Sequence, residues 1–139
     1  MNTKDFEECV QLQARTLLDF RPHVLVGSSF GGAVVVELLR RELWKGPTLL
    51  LAQAALRYDG NARLPPGVPV VLVHGTGDQV VPVEDSRVLA RTGTEGLVRL
   101  IEVDDAHELR DLVQSERLLQ LVLQCISGQP GAVAPPGRD

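Results

Sequence analysis

The sequence predicts a single α/β domain built around a parallel sheet. Four short and almost wholly apolar runs are typical of strands that are covered on both faces. Between them lie segments whose apolar residues recur at three- and four-residue spacing, which indicates helices. Strands that alternate with helices favour a parallel sheet with right-handed crossovers. The four runs are HVLVG (23–27), TLLLAQA (48–54), PVVLVHG (69–75) and LVRLIEV (97–103).

Helical spacing predicts four helices around these strands. The first ends at Arg21, because the residue before Pro22 is pushed out of the helical region. The second and third strands are joined instead by an irregular stretch, LRYDGNARLPPG (56–67), that is rich in turn residues. The predicted helices cover Thr3 to Arg21, Phe30 to Trp44, 83–92, and about His107 to Ile126. The last one carries an apolar stripe of Leu109, Leu112, Val113, Leu119, Val122, Leu123 and Ile126.

Length and composition favour one globular domain. A chain of 139 residues with 44% hydrophobic content can bury a core, and we place the domain at 1–126. The remainder, 127–139, has no periodicity and is expected to be a flexible tail.

The net charge of −4 gives no reason to expect nucleic acid or an acidic membrane as a partner. Neither an apolar stretch of about 20 residues nor a signal peptide occurs, so a cytoplasmic location is expected.

The two cysteines do not form a disulfide framework. Cys9 and Cys125 are too few and too far apart in the sequence for that interpretation. Two buried, reduced thiols are therefore expected.

A serine motif stands between the first strand and the helix that follows it. The segment GSSFGG (27–32) fits the pattern G-x-S-x-G with Ser29 at its centre. In a strand-to-helix turn, this pattern holds the central serine in a strained conformation that exposes its hydroxyl. The alternative is a simple helix-start turn in which Ser28 or Ser29 caps the helix.

A carboxylate and an imidazole follow two other strands. Asp78 lies after the third strand and His107 lies after the fourth. Because ligands of parallel sheets bind beyond the carboxyl ends of the strands, we expect both groups near Ser29. Asp78 could instead be only an Asx-turn residue. Asp85 competes as the carboxylate, but it falls inside the next predicted helix.

The other histidines are less suited to act as a base. His23 begins a strand and therefore lies at the opposite edge of the sheet. His74 ends the third strand at the correct edge, but it is expected to point into packing beside Gly75. His107 is the better candidate by position, although alone it could be a capping or solvent-facing residue.

The chain order serine, aspartate, histidine resembles the α/β-hydrolase superfamily, in particular its small, lid-less bacterial serine esterases. GSSFGG is similar to the nucleophile elbow, LVHGTGDQVVP (72–82) to the acid strand and loop, and VDDAHEL (103–109) to the histidine loop. The resemblance extends from the helix before the elbow strand to about Ile126. It implies a minimal α/β-hydrolase of about four parallel strands with helices on both faces.

The resemblance also implies an activity. Ser29 would be the nucleophile, His107 the general base and then acid, and Asp78 the residue that orients the base. The backbone N–H of Phe30 would be one oxyanion donor, and no metal or cofactor is implied. The expected function is a carboxylesterase for small soluble acyl esters, since 56–67 is the only insertion large enough to shape an acyl pocket.

One departure from the family pattern leaves alternatives open. Family members normally place a strand ending in His-Gly before the elbow, and its loop supplies a second oxyanion donor, whereas here only a helix precedes the elbow strand. The alternative function is a weak or inactive α/β-hydrolase remnant that serves as a binding or oligomerising module. A flavodoxin-like phosphate site on GSSFGG is a third option, but no phosphate-binding glycine motif occurs.

The same departure predicts a homo-oligomer, most simply a dimer. Without the upstream strand, HVLVG becomes an exposed apolar edge strand, and the apolar stripe on the last helix is partly exposed to solvent. A twofold dimer would cover both, and a loop of the partner could supply the second oxyanion donor.

Overall fold

The computed structural model describes residues 3–127 and contains a four-stranded parallel sheet. Its strand order, β1-β2-β3-β4, follows the order in the chain. Each predicted apolar run forms a strand, and helices lie on both faces of the sheet, so the predicted minimal α/β architecture is confirmed. The strands are β1 (Leu25–Ser28), β2 (Thr48–Leu51), β3 (Val70–Gly75) and β4 (Val98–Val103).

Six helices surround the sheet in the described part of the chain. The irregular stretch 56–67 includes most of a short helix, α3, that the sequence did not predict. None of the helices within residues 3–127 is both long and apolar enough to cross a membrane. The helices are α1 (Thr3–Phe20), α2 (Phe30–Arg40), α3 (Ala55–Tyr58), α4 (Val83–Ala90), α5 (Arg110–Gln114) and α6 (Arg117–Ile126).

The strands separate two apolar layers. On one face, α2, α3 and α4 bury Val36, Leu39 and Leu89 against Leu50 and Leu72 of the central strands. The opposite face is covered by α5 and α6, which pack on a second set of strand residues: Leu49, Leu51, Val71, Val73 and Ile101. Alternate residues of β2 and β3 thus face opposite layers, which explains why these strands are apolar throughout.

The last predicted helix is two helices, which corrects the prediction of one helix from His107 to Ile126. The break lies at Ser115, whose backbone is extended. The Ser115 hydroxyl donates to the carbonyl of Leu112 at 3.1 Å and accepts the N–H of Arg117 at 3.2 Å. Because the break changes the helical phase, α6 buries Leu121 and Cys125. Of the predicted stripe, Leu109 and Leu112 are buried, whereas Val113, Leu119, Leu123 and Ile126 are exposed, so the stripe is partly exposed, as expected.

Helix α2 ends before the predicted Trp44, and its last turn explains why. Glu42 has φ 60°, a left-handed conformation usually taken by glycine. The N–H of Leu43 donates to the carbonyl of Leu38 at 2.9 Å, and the N–H of Glu42 donates to Leu39 at 3.0 Å. This pair of hydrogen bonds is a Schellman ending, so the helix stops four residues early.

The two cysteines are free. Cys125 is buried under α6, and burial raises the pKa of its thiol. Cys9 on α1 is only partly buried, at the border of a small apolar cluster that includes Val10 and Val34, which corrects the prediction for that residue. Of the predicted tail 127–139, all but Ser127 lies outside the described residues.

An ion-pair cluster ties α1 to the end of α2. Arg41 contacts Glu7 of α1 through both carboxylate oxygens, at 2.6 and 2.9 Å, and contacts Glu37 at 2.6 Å. The hydrogen bonds from Arg41, with a further one from Gln11, lower the pKa of Glu7 from 4.5 to about 2. Since the folded pKa is the lower one, this carboxylate stabilises the fold above about pH 4.5, and the contribution is lost as the pH falls towards 2.

Replacing Arg41 with Gln should return the pKa of Glu7 towards 4.5, because the main hydrogen-bond donor is removed. The titration of the Glu7 carboxyl carbon, followed by NMR, measures this directly. Arg40→Gln is the matched control, since Arg40 bonds Glu37 and not Glu7, and it should leave the pKa of Glu7 low. A pKa of Glu7 that stays near 2 in Arg41→Gln would contradict this assignment.

The edge strand β1 keeps an apolar surface. Within the described residues it pairs only with β2, and Val26 remains 43% exposed. Beside this edge, α1, α2 and β1 border a cavity of about 340 Å³ lined by residues that include Leu17, Leu25 and Phe30. The dimer stays a prediction, which sedimentation equilibrium at micromolar concentration tests. A folded monomer at that concentration would refute it.

Candidate active site

Ser29 occupies a sharp turn between β1 and α2. Its φ and ψ are 52° and −114°, a conformation that costs a non-glycine residue about 1–3 kcal/mol. Backbone hydrogen bonds hold the strained residue in place. Its N–H donates to Leu51 at 2.9 Å, and its carbonyl accepts the N–H groups of Ala33 and Ala54 at 3.2 and 3.1 Å. The side chain of Ser29 does not cap α2, which argues against the simple helix-start turn for this serine.

Two of the three glycines around Ser29 are required by close contacts. A Cβ atom on Gly27 would lie 2.6 Å from the carbonyl oxygen of Gly31, and one on Gly32 would lie 2.7 Å from Cβ of Gln53. A Cβ atom on Gly31 would meet nothing within 4 Å. Packing therefore does not require Gly31, the second glycine of the G-x-S-x-G pattern. It requires Gly32, the next residue, instead.

The structure brings Ser29, His107 and Asp78 together at the carboxyl edge of the sheet. The Ser29 Oγ lies 2.9 Å from Nε2 of His107, and Nδ1 of His107 lies 2.7 Å from Oδ2 of Asp78. A carboxylate can only accept, so Nδ1 of His107 carries the ring proton and Nε2 is free to accept the Ser29 hydroxyl. The three predicted site residues thus form one hydrogen-bonded chain.

Asp78 also forms the Asx turn that the sequence offered as its alternative role. Its Oδ1 accepts the N–H groups of Val80 and Val81, both at 2.8 Å, while Oδ2 is left for His107. Burial opposes ionisation of this carboxyl. The hydrogen bonds from His107, Val81 and Val80 outweigh burial and keep the pKa of Asp78 below its usual 3.8. Asp78 is therefore a carboxylate at neutral pH.

The loop that carries His107 is fastened to the end of β3. The Asp105 carbonyl accepts the N–H of Gly77 at 3.0 Å, and a Cβ atom on Gly75 would lie only 2.2 Å from that same oxygen. The Asp105 side chain accepts the N–H groups of Ala106 and Asp111 at 2.8 and 3.0 Å. These contacts fix the position of His107 relative to β3 and to the loop after β3 that carries Asp78.

Two other residues that the sequence analysis considered as acid or base, Asp85 and His23, lie away from Ser29. Asp85 is on α4, as predicted, and pairs with Arg57 at 3.5 Å. His23 is exposed and precedes β1, at the amino edge of the sheet. In residues 3–127, no group of three His, Cys, Asp or Glu side chains has an arrangement that could hold a metal ion.

Three further polar residues lie beside the site, and the sequence analysis missed Ser86 and Gln53 and gave His74 no polar role. His74, Ser86 and Gln53 are each fully buried. His74 was expected to point into packing, and it is buried, but both of its ring nitrogens have polar partners. A histidine and a glutamine inside apolar runs were the available signals, because a fully buried polar group needs a partner.

Phe30 opens α2 directly after Ser29. The first N–H groups of a helix have no partner within the helix, and that of Phe30 is among them. The ring of Phe30 makes edge contacts with Phe6 and Tyr58, at centroid distances of 6.0 and 5.4 Å. This aromatic cluster includes Tyr58 from the insertion 56–67.

Comparison with solved structures identifies the fold. A Xanthomonas campestris protein classed with the α/β hydrolase superfamily matches with a TM-score of 0.65 and 22% identity, over 90% of this chain and 67% of that one. Mouse alpha/beta hydrolase domain-containing protein 10 matches at 0.66 and 19%, over 84% and 67%. The esterase domain of a Rhodothermus marinus protein matches at 0.57 and 19%, over 85% and 65%.

These similarities show an α/β-hydrolase fold, as the sequence resemblance implied. No protein-family model and no curated protein matches the sequence. The chain spans about two thirds of the length of the three solved proteins.

Proposed function

We propose that this protein is a serine hydrolase, a carboxylesterase that cleaves small soluble acyl esters through an acyl-enzyme on Ser29. The observation that carries the proposal is the continuous chain from the Ser29 hydroxyl to His107 and on to Asp78, at 2.9 and 2.7 Å. A strained serine whose hydroxyl faces a correctly protonated imidazole is the arrangement that activates an alcohol for attack.

The reaction proceeds in two halves. Nε2 of His107 takes the proton of Ser29 as Oγ attacks the ester carbonyl, and His107 then gives that proton to the departing alkoxide. The alcohol leaves and Ser29 carries the acyl group. A water molecule gives its proton to His107 as it attacks the acyl-serine, and the return of the proton to Oγ releases the carboxylic acid and restores Ser29. Asp78 remains ionised and stabilises the transient imidazolium.

The oxyanion of each tetrahedral intermediate needs hydrogen-bond donors. The backbone N–H of Phe30 is one, since it belongs to the residue after the nucleophile at the start of α2. The loss of a single oxyanion donor lowers turnover by about 10²–10³-fold in a serine protease. A hydrolase that relied on Phe30 alone would therefore be slow, and a loop of a second copy of the chain could supply another donor.

The insertion between β2 and β3 favours small acyl groups. It spans only 56–67, and Tyr58 within it packs against Phe30. An insertion of this size adds little apolar surface for a long acyl chain, and hydrophobic affinity scales with the area buried. Short-chain esters are therefore the expected substrates.

A fluorophosphonate probe tests the proposal. It should add once to the folded protein, on Ser29, because this partly exposed hydroxyl is bonded to His107, whereas the Ser86 hydroxyl, bonded to His74, is fully buried. Intact mass and peptide mapping measure the number and place of the adducts. Ser29→Ala should abolish labelling.

Ser28→Ala is the matched control, since Ser28 is the adjacent exposed serine and should leave most of the labelling intact. Labelling on Ser28, or none on a folded sample, would refute Ser29 as the nucleophile. Absence of labelling would favour the alternative of an inactive remnant.

A further inference from the structure

A second histidine contacts Asp78 from the protein interior. His74 ends β3 with no exposed surface. Its Nε2 lies 2.8 Å from the carbonyl oxygen of Val81 and 3.2 Å from Oδ2 of Asp78, and its Nδ1 lies 2.7 Å from Oγ of Ser86. Oδ2 of Asp78 is thus shared between His107, on the side of Ser29, and His74, on the side of the core.

The partners of His74 determine its protonation. Nε2 faces a carbonyl and a carboxylate, which only accept, so Nε2 must carry a proton. The Ser86 hydroxyl accepts from the amide nitrogen of Gln53 at 2.9 Å and is therefore free to donate to Nδ1 of His74. The orientation of the Gln53 amide is set in turn by its oxygen, which accepts the N–H of Ala55 at 2.8 Å. With these partners, His74 donates through Nε2 and accepts from Ser86 through Nδ1.

We propose that Gln53, Ser86 and His74 form a buried relay that positions Asp78 for catalysis. The relay rests on the proposed function, in which Asp78 orients His107. It holds Asp78 through Val81: Nε2 of His74 donates to the carbonyl of Val81, the N–H of Val81 donates to Oδ1 of Asp78, and the His74 ring lies 3.2 Å from Oδ2.

The ring of His74 is itself fixed from both sides. Nδ1 contacts the Ser86 hydroxyl, which accepts from Gln53, and Nε2 donates to the carbonyl of Val81. Loss of the Ser86 hydroxyl would free this ring, and with it the turn at Val80 and Val81 that holds Oδ1 of Asp78.

Two substitutions at Ser86 separate a positioning role from a structural one. Ser86→Ala removes the hydroxyl with little change in volume, whereas Ser86→Thr keeps the hydroxyl but adds a buried methyl group. Because small misplacements of catalytic groups cost up to about 10²-fold, Ser86→Ala should lower kcat by about 10- to 100-fold with KM nearly unchanged. Ser86→Thr should keep the kcat of the parent protein, counted per active site that the fluorophosphonate probe labels, even if the variant unfolds more readily.

Leu89→Val provides the stability control if Ser86→Thr does not fold. Leu89 is fully buried on the same helix and makes only apolar contacts, so its variant should lose stability and keep kcat. A loss of kcat in Ser86→Ala no larger than in Leu89→Val would overturn the relay.

NMR of the resting protein gives a readout that does not depend on activity. An NMR spectrum that correlates the ring nitrogens of His74 with their protons should show the proton on Nε2 alone. The downfield proton between His107 and Asp78 should shift or broaden in Ser86→Ala. A His74 ring protonated on Nδ1, or a His107 signal unchanged in Ser86→Ala, would overturn the relay. A protein with the expected signals but no esterase activity would refute the proposed function and leave the relay standing.

Discussion

Replacing Asp78 with Asn is expected to lower kcat by about 10⁴-fold while the protein remains folded. The surroundings of Asp78 explain the size of the effect. The two backbone N–H groups at Oδ1 will bind the single oxygen of an asparagine, so its NH₂ group must take the place of Oδ2. There it faces His107, which can pair with a donor only by moving its own proton from Nδ1 to Nε2. His107 then presents a proton to the Ser29 hydroxyl and cannot accept one.

The same NH₂ group would also face the Nε2 proton of His74, which adds a second unfavourable contact at the buried end of the site. Steady-state hydrolysis of an activated short-chain ester measures kcat, and urea unfolding checks the fold. Asp85→Asn is the matched control, since Asp85 pairs with Arg57 near the surface and should leave kcat within about twofold. A loss of less than tenfold in Asp78→Asn, or an equal loss in both variants, would contradict the role of Asp78.

The sequence predicted the strands and the three site residues for the same physical reason. Strands buried on both faces must be apolar, so the polar residues at their ends are conspicuous. Ser29, Asp78 and His107 each follow such a strand, and a parallel sheet brings the carboxyl ends of its strands to one edge. The distances among the three side chains could be obtained only from the structure.

The relay could not be predicted, because its members belong to different elements. Gln53 follows β2, His74 ends β3 and Ser86 lies in the middle of α4, so their contacts depend on how α4 crosses the sheet. No spacing in the sequence relates position 53 to position 86. The sequence analysis placed His74 in packing, but it linked neither Gln53 nor Ser86 to it.

The errors at the helix ends have local causes. Glu42 takes a left-handed position where glycine is the usual residue, so the end of α2 had no marker in the sequence. Ser115 breaks the last helix without a proline or a glycine, through two hydrogen bonds of its hydroxyl. The change of phase was nevertheless present in the sequence, since Leu112 and Leu121 do not share one face of a continuous helix.

Replacing Gly27 with Ala is expected to destabilise the protein by about 3 kcal/mol, the upper end of the usual cost of overpacking. The added Cβ would lie 2.6 Å from the carbonyl oxygen of Gly31 and 2.7 Å from Cγ2 of Val35. The first of these atoms belongs to the backbone of α2 and cannot rotate away. Relief would require β1 and the first turn of α2 to separate, which would also shift Ser29 away from His107.

Gly31→Ala is the matched control for this prediction, because it adds the same methyl group to the other motif glycine. The added Cβ meets nothing within 4 Å, and alanine is preferred to glycine in a helix by up to about 1 kcal/mol. Urea unfolding should therefore show a stability equal to or above that of the parent protein for Gly31→Ala, and a large loss for Gly27→Ala. Similar stabilities of the two variants would show that the turn can expand, and that close packing of β1 on α2 does not hold Ser29 in its strained position.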